Sequence, residues 1–389
     1  MIHIILNFLG FLLIIIWFKN QATDYKSFSK KKEYFKLSRF KSILISILVV
    51  ALPLILVNYT AIEDVNHISD ISFNKNRTIF AFMVSVFITL VWLIYIYRLD
   101  IFNKEKKRHI FIVIFFALIT TSFAQYPYEF IHQMGFTNTQ NPIGSFIYSV
   151  FGIGLIEETI KLIPLLLILK FTKAIDEPYD FILYASVSAL GFSLVENTMY
   201  LERNGIEIIN ARAIYATVAH MTFSSMIGYG LYLIRFKKTN YSSFLVFLVF
   251  FFFAIFSHGF YDFWLINKSV ARFSGLTTLF FLFTIHIWFT LKNNTLNASN
   301  YYDDRKKINN DRLKIYLIVS LLSIFMLSYI YVAFKWNSQE ANLFFVKSTI
   351  VYGYIIFYLI ATLSKFNLVK GIVKPIKFNF DFLYKKFKQ

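Results

Sequence analysis

Apolar residues recur along this chain in long runs from one end to the other, separated by short polar connections. Eleven runs come close to the about 17 to 25 residues that a bilayer-crossing helix needs. They lie near residues 2–18, 42–58, 79–97, 110–124, 145–169, 181–200, 211–234, 243–265, 274–291, 315–334 and 343–363. A lipid-facing backbone must satisfy its own hydrogen bonds, and these runs are too long and too uniformly apolar for barrel strands, so each is expected to be a helix. The expected fold class is all-α: a polytopic helical membrane protein with about 11 transmembrane helices, seated in the lipid bilayer. The connections are too short for a soluble domain, and no internal repeat is visible. One outer connection, "QYPYEFIHQMGFTNTQNPIG" at 125–144, is rich in aromatics and has no Lys or Arg, which suits a segment lying on the interface or dipping into the outer leaflet.

Charge tests that count. Of the 40 Lys and Arg residues, 31 fall in the connections after odd-numbered runs or in the C-terminal tail, and apart from Arg212 and Lys347 near the starts of two runs, Lys161 alone lies within a run. The positive-inside rule then puts the N-terminus outside and the C-terminus in the cytoplasm. The formal charge of +18 would suggest nucleic acid in a soluble domain, but the basic residues flank apolar runs, where orientation and anionic headgroups account for them. No nucleic-acid binding is expected. The first run lacks a basic leader and a small-residue cleavage site, so it reads as an uncleaved span. With 57% hydrophobic residues and 48 phenylalanines, composition agrees with a multi-pass protein, and no Gly-rich nucleotide loop is present. The absence of cysteine excludes disulfides, Cys-ligated zinc, iron–sulfur clusters and thiol catalysis, leaving His, Asp and Glu for any metal.

An ionisable group at membrane depth costs at least a few kcal/mol, so its position is informative. Glu157, Glu158 and Lys161 fall in the fifth run, Glu196 and Asn197 near the outer end of the sixth, His220 in the seventh, and His258 and Asp262 in the eighth. Lys161 is four residues from Glu157 and three from Glu158, so it can neutralise one carboxylate along one helix face and leave the other free. His258 and Asp262 are four apart, which lets the aspartate hold one ring nitrogen and present the other. Convergence of these groups needs a tilted or broken helix, and Gly152, Gly154 and Pro164 offer places for it. Two histidines with surplus carboxylates suit water activation, by a Zn²⁺ held on His220, His258 and a carboxylate such as Glu158, or by a buried glutamate acting directly. Either route gives amide hydrolysis. His132 and His286 read as structural.

Four segments, "EETIK" at 157–161, "GFSLVENTMY" at 191–200, "AHMTFSSMIGYG" at 219–230 and "SHGFYDF" at 257–263, resemble in order and placement the signatures of the PrsW family of intramembrane proteases, relatives of the CAAX-processing prenyl proteases. The resemblance spans roughly residues 145–265. It implies a metalloprotease-type integral peptidase of the cell membrane that makes the first extracytoplasmic cut in a single-span anti-sigma factor. The carried-over residues are Glu157 and Glu158, Glu196, His220, and His258 with Asp262 beside it. The prenyl-protease relatives typically show E-E-x-x-x-R, F-x-x-x-H and H-x-x-x-N. Here Lys161 comes one position early, Glu196 stands where a histidine would follow Phe192, and Asp262 replaces Asn, which argues against prenylated substrates.

The expected organisation is therefore N-terminal helices over 1–109, a catalytic membrane core over 110–273, and C-terminal helices with a basic tail over 274–389. Glu157, Glu158, His220 and His258 carry the chemistry, with Lys161, Glu196, Asn197 and Asp262 in support. Two rival readings use the same residues: an ion- or proton-coupled transporter, in which they form a relay, and a non-catalytic scaffold or immunity-type protein that binds without cutting.

Overall fold

A computed structural model describes residues 73–237, 241–306 and 310–374. The expected spans 2–18 and 42–58 and most of the basic tail lie outside the described residues. Within them the chain is helical, with no strand. In order come α1 (Phe73–Leu99), α2 (Lys107–Ser122), α3 (Gln125–Gln133), α4 (Pro142–Ile147), a π-helical turn (Tyr148–Gly154), α5 (Leu155–Phe171), α6 (Pro178–Asn204), a second π-turn (Ala211–Ala216), α7 (Thr217–Phe236), α8 (Ser243–Ile266), α9 (Gly275–Asn297), α10 (Asn310–Lys335) and α11 (Ser338–Leu363).

Helix α6 is the axis of the bundle. It starts on Pro178, whose missing N–H is no loss in a first turn, behind a capping box made by Glu177 and Asp180. It ends at Gly205, which adopts φ +87°. Between these ends Ala185, Ser186, Ser188, Ala189 and Ser193 keep its surface narrow, so α1, α2, α5, α7 and α9 all pack against it. Its hydroxyls are satisfied across those interfaces: Ser188 donates to the Lys161 carbonyl at 2.6 Å, and Ser186 meets Ser225 of α7 at 2.9 Å. The outer helices join the same core, since Trp92 of α1 donates to the Ala213 carbonyl and Trp288 of α9 donates to Ser225.

Seven helices among the described residues are long and apolar enough to cross a membrane, which makes the chain an integral multi-pass membrane protein. The expected spans 145–169 and 211–234 are not among the seven. Each is interrupted by a π-turn, leaving α5 with 17 residues and α7 broken in its apolar character by His220, Thr222, Ser224 and Ser225. Packing against the other helices shelters this polarity from lipid. Elsewhere the helices run past the apolar runs. Helix α9 continues to Asn297 because its asparagines hold residues 367–374: Asn294 exchanges hydrogen bonds with both backbone groups of Lys374, and Asn297 accepts from the Val369 N–H at 2.8 Å. The connection at 125–144 contains two short helices, α3 and α4.

Candidate active site

Both π-turns lead directly into the helices that carry charge. A π-turn widens the backbone by one residue per turn and is often found at functional sites. The first one presents Gly154 to α8 so closely that a Cβ there would lie 2.5 Å from the Ile255 carbonyl oxygen, and the reciprocal Gly259 of α8 lies against the backbone of Val150. The approach of these two backbones brings His258 to the first two turns of α5.

The Lys161 ammonium is the centre of the site. It is fully buried and reaches Glu158 Oε1 at 2.9 Å, Glu157 Oε2 at 3.4 Å, His220 Nδ1 at 2.9 Å and His258 Nδ1 at 3.4 Å, with the Phe192 ring 4.2 Å away. An ammonium has three protons, so Glu158, Glu157 and His220 saturate it, and the longer contact to His258 Nδ1 is not needed. The spacing leads one to expect a free carboxylate, but the lysine engages both, because α5 places the two glutamates on either side of it.

These contacts assign the imidazoles. His220 Nδ1 faces an obligate donor and therefore accepts, and its Nε2–H donates to Glu196 Oε2 at 2.7 Å. Glu196 is in turn held by Arg212 Nη2 at 2.5 Å, and Arg212 Nε donates to Asn197 Oδ1 at 2.7 Å. His258 Nδ1 faces Glu158 Oε1 at 2.8 Å, while its Nε2 lies 3.3 Å from Glu157 Oε2 and 3.4 Å from Asp262 Oδ2. The close orienting partner of His258 is thus Glu158, and Asp262, which the i, i+4 spacing nominated, stands further off at the other nitrogen.

The two glutamates differ in what they can reach. Glu158 is sealed, 0% exposed, and its second oxygen accepts from Ser224 at 2.7 Å. Glu157 accepts from the Tyr128 hydroxyl at 3.0 Å and faces a cavity of about 660 Å³, together with Glu196, His220, His258 and Asp262. A cavity of that size is within the range that holds a small ligand or a few residues of a peptide. Val351 and Tyr352 of α11 complete its wall.

One donor atom each from Glu157, His220 and His258 lie within 4.8 Å of one another. Two imidazoles and a carboxylate are a zinc-type donor set, and each histidine has its other nitrogen against a carboxylate, Glu196 or Glu158, as metal-bound histidines usually do. In donor chemistry the residues fit a zinc ion, provided that Lys161 releases the His220 Nδ1 it holds at 2.9 Å. The carboxylate in that group is Glu157, where the sequence reading had put Glu158.

All eight nominated residues line this site or touch a residue that does. Sequence reasoning missed Tyr128, Arg212 and Ser224. Arg212, at the start of the 211–234 run, is an ion-pair partner of the site. Ser224 carried a usable signal, since it is four residues after His220 and so one turn along the same face. His132 hydrogen-bonds the Tyr148 hydroxyl at 2.9 Å on the first π-turn.

The sequence model described as "PrsW family intramembrane metalloprotease" matches residues 105–289. A protein named Protease PrsW from Oceanobacillus iheyensis is 32% identical over 189 residues, which is 48% of this chain and 84% of that protein. Proteins of the same name from Geobacillus kaustophilus and Bacillus subtilis are 31% and 33% identical over 150 and 94 residues, covering 38% and 24% of this chain and 62% and 43% of their own lengths. No solved structure matches the chain. Helix α11, with its two cavity residues, lies beyond the matched segment.

Proposed function

We propose, starting from the fact that the chain belongs to the PrsW family and is an intramembrane protease, that it hydrolyses a peptide bond of a single-span, anti-sigma-factor-like protein near the outer face of the cell membrane. The observation that carries the assignment of roles is that Glu157 is the carboxylate of the pair that opens on the cavity, while Glu158 is sealed behind Lys161. Glu157 takes the proton from the attacking water, with Tyr128 fixing one of its oxygens. His258, held at Nδ1 by Glu158, turns Nε2 toward the same space and stabilises charge that develops on the scissile carbonyl, while His220, whose Nδ1 accepts from Lys161 and whose Nε2–H donates to Glu196, positions the lysine. Lys161 supplies the positive charge that keeps Glu158 ionised and His258 oriented. A zinc ion, if held by Glu157, His220 and His258, would supply Lewis acidity to the water and the carbonyl in place of Glu157 acting as base. The eleven-span topology with its N-terminus outside puts this cavity on the outer side, and residues 110–273 contain nearly all of the chemical groups.

The test is cleavage of a single-span reporter by purified protein, with the metal content measured before and after chelation. Loss of cleavage in Glu157→Gln, His220→Ala and His258→Ala, with normal membrane insertion, is the expected result. Normal cleavage in all three overturns the roles assigned above. Full activity after every metal has been stripped leaves Glu157 as the base without zinc.

A further inference from the structure

At the end of α6 far from the site, a second acidic cluster has no ion-paired Lys or Arg among the described residues. Asp100 follows α1, Glu177 caps α6, and Asp180 stands on the first turn of α6, each 0% exposed. Sixteen residues of helix separate Asp180 from Glu196, about 24 Å at 1.5 Å per residue. One oxygen of each carboxylate is occupied. Asp100 Oδ2 accepts from the Glu105 N–H at 2.6 Å, Asp180 Oδ2 accepts from the Asp176 and Glu177 N–H groups at 2.9 and 2.8 Å, and Glu177 Oε2 accepts from Ser299. The other three oxygens, Asp100 Oδ1, Glu177 Oε1 and Asp180 Oδ1, are buried with no hydrogen-bond partner. Donor atoms of the three residues lie within 4.8 Å of one another, and Asp180 is also within that distance of Glu105 and Asp176. Among the described residues no Lys or Arg forms an ion pair with Asp100, Glu177 or Asp180.

A carboxylate oxygen buried without a partner is costly, and three carboxylates gathered this closely, each with one such oxygen, need a cation or protons. We propose that Asp100, Glu177 and Asp180 bind a hard divalent cation of the Mg²⁺, Ca²⁺ and Mn²⁺ class. All-oxygen donors favour these ions over zinc, and ligands at metal–oxygen distances of about 2.0 to 2.6 Å can be spaced within the 4.8 Å that bounds this group. The cation ties the connection after α1 and the connection before α6 to the first turn of α6. It is distinct from any ion at the active site, whose donors include two histidines.

The experiment uses full-length His220→Ala/His258→Ala protein in detergent, so that the active-site donors are removed, after treatment with chelator. Mn²⁺ binding is read by electron paramagnetic resonance, and the thermal midpoint is followed with Mn²⁺, Mg²⁺ and Ca²⁺. One Mn²⁺ per chain is expected, with a midpoint rise of about 5 °C at saturation. Both responses should vanish in a further Asp100→Asn/Glu177→Gln variant. If the double-histidine background does not fold, wild type and Glu177→Gln are compared directly, and their responses must differ. No bound Mn²⁺ and an unchanged midpoint overturn the proposal and leave shared protons to neutralise the cluster.

Discussion

The protein buries carboxylates in two places and neutralises them in different ways. At the active site Glu157 and Glu158 enclose the Lys161 ammonium, and Glu196 is met by Arg212, so each acid has a cation from its own chain. At the other end Asp100 and Glu177 have none, and burial pushes their carboxyls up, Asp100 to about 7 and Glu177 to about 8. The first arrangement sets cations of the chain against its acids and can orient imidazoles with them. The second is left to something the chain does not encode. Removing a charge should therefore destabilise the first cluster and relieve the second.

The largest effect is expected at Lys161. Lys161→Met leaves two carboxylates and two imidazoles in a dry space without their shared donor. Breaking a buried pair by removing one partner typically costs about 3 to 5 kcal/mol. Thermal melts in detergent should show a loss of that order, together with the end of reporter cleavage. A melt that matches the wild type would mean that the carboxylates are not held ionised by the lysine.

Next come the paired substitutions Glu157→Gln and Glu158→Gln. A general base contributes about 10² to 10⁴ in rate, so Glu157→Gln should lower cleavage by that factor and shift the melt little, because it faces the cavity. Glu158→Gln should lower both cleavage and stability, since it weakens the hold on His258 and Lys161 together. Equal melts for the two variants would remove the distinction between the cavity-lining and the sealed glutamate.

The active-site cluster was legible in the sequence, and the acidic cluster was not, for one physical reason. Lipid excludes charge, so Glu157, Lys161 and His258 stand out in apolar runs. Asp100 and Glu177 sit in connections, where acids are ordinary, and only the fold shows that they are buried. Tyr128 was passed over for the same reason. The backbone breaks were half visible: Gly152 and Gly154 marked where the fifth run bends, but nothing in 211–216 announced the second π-turn. Helix α9 overshot its run because asparagines that look like a stop signal are instead tied to residues 367–374.

The site's geometry also rests on backbone contact. Gly259→Ala adds a methyl where the backbone of Val150 already lies, and overpacking of this kind costs about 1 to 3 kcal/mol. The first π-turn and α8 would be forced apart, moving His258 away from Glu158. Cleavage should fall about tenfold or more with insertion intact, as a displacement near 1 Å is enough for that. An equal loss from alanine at Gly353, which has only ordinary contact at 3.5 Å, would show that the close approach is not the cause.

The smallest effect is the one of opposite sign. In chelated protein at a pH above about 8, where the Glu177 carboxyl is ionised, Glu177→Gln keeps the shape of the side chain and an oxygen for Ser299 but removes an uncompensated charge. Replacing an unpaired buried acid with its amide should raise stability by about 1 kcal/mol, since the desolvation and repulsion of the carboxylate are relieved. With saturating Mg²⁺ or Ca²⁺ the order should reverse, because wild type gains the cation and the amide variant binds it poorly. The crossing of the two melting series is what separates the clusters. At Lys161 no added ion can restore what the ammonium does, whereas at Glu177 the sign of the mutation depends on the ion in the buffer.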